Sequence, residues 1–109
     1  FDVISGDDGI TFPLITLGAV GVISVLGNAF PADFSLMNRL ALQGDYAKAL
    51  TIHHKYAEMC NLLFVDGNPA GVKAMLNIMG MMENKLRLPL VQARQVTCEK
   101  LSAAWNEIK

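Results

Sequence analysis

The first 26 residues, FDVISGDDGITFPLITLGAVGVISVL, decide the fold of this chain. Two runs at positions 2–5 and 21–26 are β-branched, apolar on both faces and bounded by glycine, which is typical of strands buried in a parallel sheet. The apolar segment 9–17 lies between them and ends at Gly18, so it has the length and the stop signal of a crossover helix. The stretch therefore predicts a strand–helix–strand unit with parallel strands.

The rest of the chain is predicted to be mainly helical. Prolines and capping residues stand where helices are expected to begin, and glycines stand where they are expected to end. These signals are Pro31 with Gly44, Asp45, and Asn68 with Pro69 and Gly80. A final amphipathic helix is expected from about residue 93, after an extended connector at residues 86–90.

Two parallel strands with open edges expect neighbours on both sides. A strand–helix–strand–helix run followed by further helices is what the end of a (β/α)8 TIM barrel looks like. Phe1 opens directly into a strand with no Met and no polar lead-in, so we expect a cut through a larger fold. The predicted class is α/β, with residues 1–44 as the last two strands and helices of a barrel and residues 45–109 as a C-terminal helical subdomain.

Composition excludes several classes of partner. The net charge is -1, with 17% charged and 52% hydrophobic residues and no basic block, so a nucleic-acid partner is not expected. The uncharged stretch 9–32 is interrupted too often by glycine and proline to cross a membrane. Cys60 and Cys98 lack a metal-binding spacing and are expected to be small buried residues, and reduced thiols suit the cytoplasm.

Candidate chemistry lies at residues 5–8 after the first strand and at residues 26–28 after the second, because active sites of barrels form at the C-terminal ends of their strands. Gly6 would let the backbone approach a small ligand closely, whereas Asp7 and Asp8 would either face that ligand or only cap the following helix. His53 and His54 are adjacent on a helix, so they point in different directions and do not form a metal site. We expect one of them to pack and the other to be solvated.

The positions of the lysines indicate whether this chain can supply an amine nucleophile. An amine nucleophile must project into the mouth of a barrel to act on a carbonyl substrate. Every lysine here is predicted to lie on a helix or a connector and none follows a strand, so the chain offers no suitable Schiff-base lysine. The lysines are Lys48, Lys55, Lys73, Lys85, Lys100 and Lys109.

Four motifs occur in order: SGDD at residues 5–8, LGAVGVISV at 17–25, FVDGNPAGVK at 64–73 and LRLPL at 86–90. Together they closely resemble the C-terminal part of the dihydrodipicolinate synthase family, over essentially the whole chain. The resemblance implies a lyase that condenses pyruvate with L-aspartate 4-semialdehyde through a lysine Schiff base, on the route to diaminopimelate and lysine, with no cofactor and no metal. It places the lysine and a catalytic tyrosine before Phe1, so the chain alone is expected to be inactive.

The resemblance also implies roles for individual residues. Ile23 matches the position in the eighth barrel strand whose backbone carbonyl faces bound pyruvate. Gly6 matches a glycine of the pocket wall, and Asp7 and Asp8 match the rim where the semialdehyde enters. The family commonly forms homo-oligomers, tetramers or dimers, and the short helix ending at Leu17 resembles one of its subunit contacts.

Two alternatives stay open on the sequence. One is a related pyruvate aldolase, similar to N-acetylneuraminate lyase, with the same fold and another acceptor. The other is a non-enzymatic helical binding module that uses its apolar N-terminal stretch against a partner or a membrane surface.

Overall fold

Helices dominate the fold in the computed structural model, which describes all residues from Phe1 to Lys109. The elements are β1 (Ile4–Ser5), a 3-10 turn (Asp8–Ile10), α1 (Thr11–Thr16), β2 (Gly21–Val22), α2 (Leu26–Ala29), α3 (Pro31–Leu42), α4 (Tyr46–Phe64), α5 (Ala70–Ile78) and α6 (Gln95–Ile108). None of these helices has the combination of length and hydrophobicity that crossing a membrane requires.

The two strands pair in parallel, which confirms the predicted strand–helix–strand unit. Ile4 lies opposite Gly21 and Ser5 opposite Val22. The pairing continues at its C-terminal end, where the Ile23 N–H donates to the Ser5 carbonyl at 2.9 Å. The predicted burial on both faces is not found in this chain, because the sheet has only two strands and the Ile4 side chain is exposed.

The second strand is shorter than predicted. The expected strand 21–26 ends at Val22, and Leu26 is the first residue of the short helix α2. The backbone N–H groups of Val25 and Leu26 both donate to the carboxylate of Asp8. Because these groups are taken by a side chain, they are not available to a strand partner, and the chain turns into a helix instead.

Most helix boundaries follow the local signals. Pro31 is the first residue of α3, as predicted. Gly44 has φ +83°, a left-handed conformation that glycine adopts without strain, and it ends that helix. Asp45 caps α4 by accepting a backbone N–H of its first turn at 3.3 Å.

The predicted cap of α5 is wrong. Asn68 does not cap this helix; the residue before its first turn is Pro69, and no side chain caps it. The backbone N–H of Gly71 donates to the carbonyl of Gly67 at 3.3 Å instead. A main-chain acceptor therefore takes the position that the Asn68 side chain was expected to fill.

The chain divides into two compact units, Phe1–Ala57 and Glu58–Lys109, and the division falls within α4. The boundary predicted between residues 44 and 45 stays a prediction. Each unit has its own apolar core. Core residues of the first unit include Ile15, Leu26, Phe34, Met37 and Ala41; those of the second include Met59, Leu63, Met75, Leu101 and Ala104.

In the first unit, an aromatic cluster joins α1 to α4. The ring of Phe12 lies 5.6 Å from His53 and 6.1 Å from Tyr46, measured between centroids. His53 is half-buried and the adjacent His54 is exposed, which confirms the prediction of one packed and one solvated histidine. Burial first, and the neighbouring His54 second, hold the pKa of His53 below its ordinary value of 6.5.

A group of hydrogen bonds connects α3 to α4 in the same unit. The Asp33 carboxylate accepts hydrogen bonds from Lys55 and from the Tyr56 hydroxyl, both at 2.7 Å. These bonds hold the pKa of Asp33 below its ordinary value, while burial and the bond to Asp33 raise the pKa of the Tyr56 hydroxyl. The Tyr56 ring is buried against Phe30, so the same residue takes part both in the hydrogen bonds to Asp33 and in the apolar core.

In the second unit, α5 approaches the end of α4 closely. A Cβ added to Gly71 would stand 2.1 Å from the backbone oxygen of Leu63. Near the start of α6, the Asp66 carboxylate accepts from the Arg94 backbone N–H at 2.9 Å and from its guanidinium at 2.7 Å. A hydrogen bond from Thr97, followed by those from Arg94, holds the pKa of Asp66 below its ordinary value.

We predict that Gly71→Ala destabilises the protein more than Gly80→Ala. At Gly71 the methyl group meets backbone that does not yield, and overpacking of this kind costs about 3 kcal/mol, well above the roughly 1 kcal/mol that alanine gains over glycine in a helix. At Gly80 the space is open and only the φ of +74° is unfavourable, which costs about 1–2 kcal/mol. The free energy of unfolding in urea measures both, and an equal or smaller loss for Gly71→Ala would contradict the close approach.

We predict that His53 makes the protein less stable as the pH falls through the range just below 6.5. Its folded pKa is depressed, so the unfolded chain binds the proton first and acid favours unfolding. Tm should therefore fall between about pH 8 and about pH 5, and it should fall less in His53→Leu. His54→Gln, at the exposed neighbour, is the control and should keep most of the wild-type slope; equal slopes in wild type and His53→Leu would overturn this account.

Candidate functional site

The candidate site lies at the C-terminal edge of the strand pair. Because β1 and β2 are parallel, the loop after β1 and the segment after β2 leave the sheet at the same edge. The bond from the Ile23 N–H to the Ser5 carbonyl joins the two segments at this edge. The predicted residues Gly6, Asp7 and Asp8 belong to the first segment and Ile23 to the second.

Two buried hydroxyls hold the loop after β1. The Ser5 Oγ and the Thr11 Oγ1 are 2.9 Å apart, and they lie 3.0 and 2.7 Å from the carbonyl oxygen of Asp7. The Asp7 N–H in turn donates to the Ser5 Oγ at 3.2 Å. Each hydroxyl has a single hydrogen, so only two of the three contacts among the two hydroxyls and the carbonyl carry a hydrogen at one time. The bonds of such a cluster strengthen one another, and losing one weakens the others.

Asp7 and Gly6 form the exposed part of the loop. The Asp7 Oδ1 accepts the backbone N–H of Gly9 at 2.9 Å and so caps the 3-10 turn. Gly6 is exposed, and a Cβ added to it would meet no atom within 4 Å. Nothing within this chain therefore requires glycine at position 6.

Asp8 lies beneath this loop. Its side chain is 2% exposed, and its Oδ2 accepts the backbone N–H groups of Val25 at 3.0 Å and Leu26 at 2.7 Å. Its Oδ1 is enclosed and has no hydrogen-bond partner. Capping was one of the two roles open to Asp7 and Asp8, and both residues do cap, although they cap different elements.

Ile23 is held by its backbone and not by its side chain. Ile23 is 78% exposed. Its one backbone hydrogen bond is the one that its N–H donates to the Ser5 carbonyl. Its carbonyl oxygen accepts no hydrogen bond from this chain. The arrangement leaves a backbone acceptor at the same edge as the exposed carboxylate of Asp7.

A separate groove of about 390 Å³ lies along β2, α2 and α3. Its walls are mainly apolar and include Val22, Pro31 and Phe34, with Asn38 and Arg39 as polar residues. It contains none of the four predicted site residues, so its position does not support or oppose them.

The lysines lie where the sequence placed them. Lys48 and Lys55 are on α4, Lys73 is on α5, and none of the six belongs to the segments that follow β1 and β2. No three histidine, cysteine, aspartate or glutamate side chains come together as a metal-binding group. The expectation of chemistry without a metal stays a prediction.

Sequence reasoning missed the hydroxyl cluster and the long-range role of Asp8. A signal for the cluster was present, because a serine two residues before an aspartate often bonds the backbone of that turn. No such signal exists for the bond between Asp8 and residues 17 and 18 positions later. Only the folded chain brings them together.

The motifs and the geometry agree with a family match. A model of the Dihydrodipicolinate synthetase family matches residues 1–108. The chain belongs to this family. The membership predicted from the four motifs is therefore confirmed.

Individual dihydrodipicolinate synthases resemble the chain closely. It is 77% identical to the 4-hydroxy-tetrahydrodipicolinate synthase of Phocaeicola vulgatus over its whole length, and it spans 37% of that protein. The crystal structure of the Thermotoga maritima dihydrodipicolinate synthase matches 99% of the chain with a TM-score of 0.95 and 42% identity, and the chain spans 37% of it. The Acinetobacter baumannii enzyme, crystallised with pyruvate, also has a TM-score of 0.95, at 36% identity and 99% coverage, and the chain again spans 37% of it.

We predict that Thr11→Val destabilises the protein more than Thr16→Val. Thr11 is fully buried and its hydroxyl contacts both the Ser5 hydroxyl and the Asp7 carbonyl, so valine removes two hydrogen-bond contacts, which together cost about 1–3 kcal/mol, and leaves Ser5 as the one hydroxyl donor to that carbonyl. Thr16 bonds the Pro13 carbonyl at an exposed position, where the loss should be about 0.5 kcal/mol or less. Urea unfolding of the two variants tests this; similar losses would show that the hydroxyl cluster adds nothing beyond an exposed bond.

Proposed function

We propose that the protein is a lyase that condenses pyruvate with L-aspartate 4-semialdehyde through a lysine Schiff base, on the diaminopimelate and lysine route. One observation carries the proposal. A chain matched by the dihydrodipicolinate synthetase family over residues 1–108 has parallel strands whose C-terminal edge brings the SGDD loop beside Ile23. The Acinetobacter baumannii relative crystallised with pyruvate supports the choice of the first substrate.

The proposed architecture is the end of a (β/α)8 barrel followed by a helical subdomain. A parallel sheet of two strands has two unpaired edges, and sheets of this type are stable when further strands and helices cover them. Val3, Ile4 and Val20 are exposed beside these strands, as residues are when their packing partners belong to another part of the fold. In this arrangement β1 and β2 are the seventh and eighth barrel strands.

The proposed chemistry runs through covalent intermediates on one lysine side chain. A lysine amine adds to the keto carbon of pyruvate and water leaves, which gives an iminium ion. Loss of a proton from the methyl group of pyruvate gives an enamine, whose carbon attacks the aldehyde carbon of the semialdehyde, and the aldehyde oxygen takes up a proton to become a hydroxyl. The attack regenerates the iminium ion, and the amino group of the semialdehyde then displaces the lysine amine from its carbon, which closes a ring and frees the lysine. Since none of the six lysines follows a strand, the amine is proposed to lie outside these 109 residues, and the chain alone is proposed to be inactive.

The chain is proposed to contribute the wall and rim of the pocket. The Ile23 carbonyl faces pyruvate, and the open space beside Gly6 admits the substrate where a larger side chain would stand. The exposed carboxylate of Asp7 lies at the rim, where its charge attracts the ammonium group of the semialdehyde. Asp8 belongs to the same site from beneath the loop.

Assembly and compartment complete the proposal. The enzyme is proposed to be a cytoplasmic homo-oligomer, a tetramer or a dimer. Leu17 follows α1 with 83% of its surface exposed, which suits an apolar contact between subunits.

Borohydride trapping tests this function. The protein expressed from its complete reading frame is incubated with pyruvate and treated with borohydride, and its intact mass is measured by mass spectrometry. The 109-residue chain is treated in parallel. We expect the complete protein to gain the mass of one pyruvate less one oxygen atom, because reduction replaces the carbonyl oxygen by a C–N bond. The adduct should map outside the 109 residues, and the chain itself should gain nothing.

Each other outcome has a definite meaning. An adduct on a lysine of the 109 residues would show that the reactive amine lies within this chain and that its proposed position outside the chain is wrong. No adduct on the complete protein would remove the Schiff-base function and favour a binding module. If the adduct forms but the complete protein, given pyruvate and L-aspartate 4-semialdehyde together in a separate assay, does not consume the semialdehyde, the Schiff-base chemistry stands and the acceptor is another aldehyde.

A further inference from the structure

Asp8 is the only charged residue of this chain that is buried, with 2% of its surface exposed. Burying a carboxylate is unfavourable unless hydrogen-bond donors replace the lost water. Both donors that Asp8 has are backbone N–H groups of one short turn, those of Val25 and Leu26. The position of this turn and the stability of the buried charge therefore depend on each other.

The same turn follows Ile23 by two residues. On the near side, the Ile23 N–H is held by the Ser5 carbonyl at 2.9 Å. On the far side, the turn that begins at Val25 has no cap from its own side chain and receives one from Asp8. The peptide that carries the Ile23 carbonyl is thus held at both ends by residues of the first strand and its loop.

We infer that Asp8 is a positioning residue, which sets the direction of the Ile23 carbonyl and does not itself contact substrate; this rests on the proposed function. A residue that contacts the semialdehyde needs an exposed oxygen. The Asp8 side chain is 2% exposed, its Oδ2 is engaged twice and its Oδ1 is enclosed. Asp7, the neighbouring carboxylate, is exposed and remains the residue at the rim.

The charge of Asp8 strengthens the arrangement but is not essential to its geometry. Hydrogen bonds to a carboxylate are shorter and stronger than those to a neutral amide. In Asp8→Asn the amide oxygen stands where Oδ2 stands and still accepts both N–H groups. In Asp8→Ala both N–H groups lose their acceptor, and the turn is free to move.

Steady-state kinetics of the protein expressed from its complete reading frame test the inference. We expect Asp8→Ala to raise KM for pyruvate about tenfold or more and to leave KM for L-aspartate 4-semialdehyde within about twofold, since a small displacement of a positioning group costs one to two orders of magnitude. Asp8→Asn should raise KM for pyruvate by only about threefold, because it keeps the acceptor. The yield of the borohydride-trapped pyruvate adduct at subsaturating pyruvate should follow the same order.

Asp45→Ala is the matched control. It removes a carboxylate that also caps a helix, at α4, and it should change neither KM. If Asp8→Ala does not fold, Asp8→Asn decides, and an unchanged KM for pyruvate in that variant overturns the inference. A rise in KM for the semialdehyde that exceeds the rise for pyruvate would mean direct contact, and a lower Tm with both KM values unchanged would mean a purely structural role; either result overturns it.

These outcomes are separate from failure of the proposed function. If the wild-type protein traps no pyruvate, the function fails before any variant is compared. If it traps pyruvate and the variants show the wrong split between the two KM values, the function stands and only the role of Asp8 is overturned.

Discussion

The hydrogen bonds from the Val25 and Leu26 N–H groups to the buried carboxylate of Asp8 are the interaction on which the candidate site depends. They connect the loop after β1 to the turn after β2 by side chain and backbone. A carboxylate in an apolar interior is unstable without such donors, and a helix start is unstable without an acceptor. Each group satisfies the other, so the two segments hold together although each strand has only two residues.

The strand pair is short, and its geometry comes largely from polar contacts at its edge. Ser5 acts twice: its carbonyl holds the Ile23 N–H, and its hydroxyl meets that of Thr11 at the Asp7 carbonyl. Long sheets obtain a fixed register from many ladder bonds and cross-strand packing. Here a few buried polar side chains replace that ladder, which is why the edge is ordered while the apolar faces of the strands stay open.

Local signals in the sequence predicted what local physics controls. Pro31 and Gly44 bound α3 because a fixed φ and a positive φ are properties of single residues. The end of the second strand was not predictable in this way. Val25 and Leu26 are good strand residues, and they leave the strand because Asp8, 17 and 18 positions earlier, takes their N–H groups. The family resemblance predicts that Asp7 and Asp8 both lie at the rim of the site, and only the fold distinguishes the buried carboxylate of Asp8 from the exposed one of Asp7.

Side chains that face a site are usually expected to determine its geometry, but here buried residues hold the backbone of Ile23. Under the proposed function Ile23 acts through its carbonyl, so its exposed side chain can change without moving that oxygen, as long as the backbone is held. What holds the backbone is Ser5 and Asp8, neither of which presents a side chain to the pocket. If the Ile23 carbonyl faces pyruvate, its placement is therefore decided by residues that never meet the substrate, and the nearest side chain is the least informative one to change.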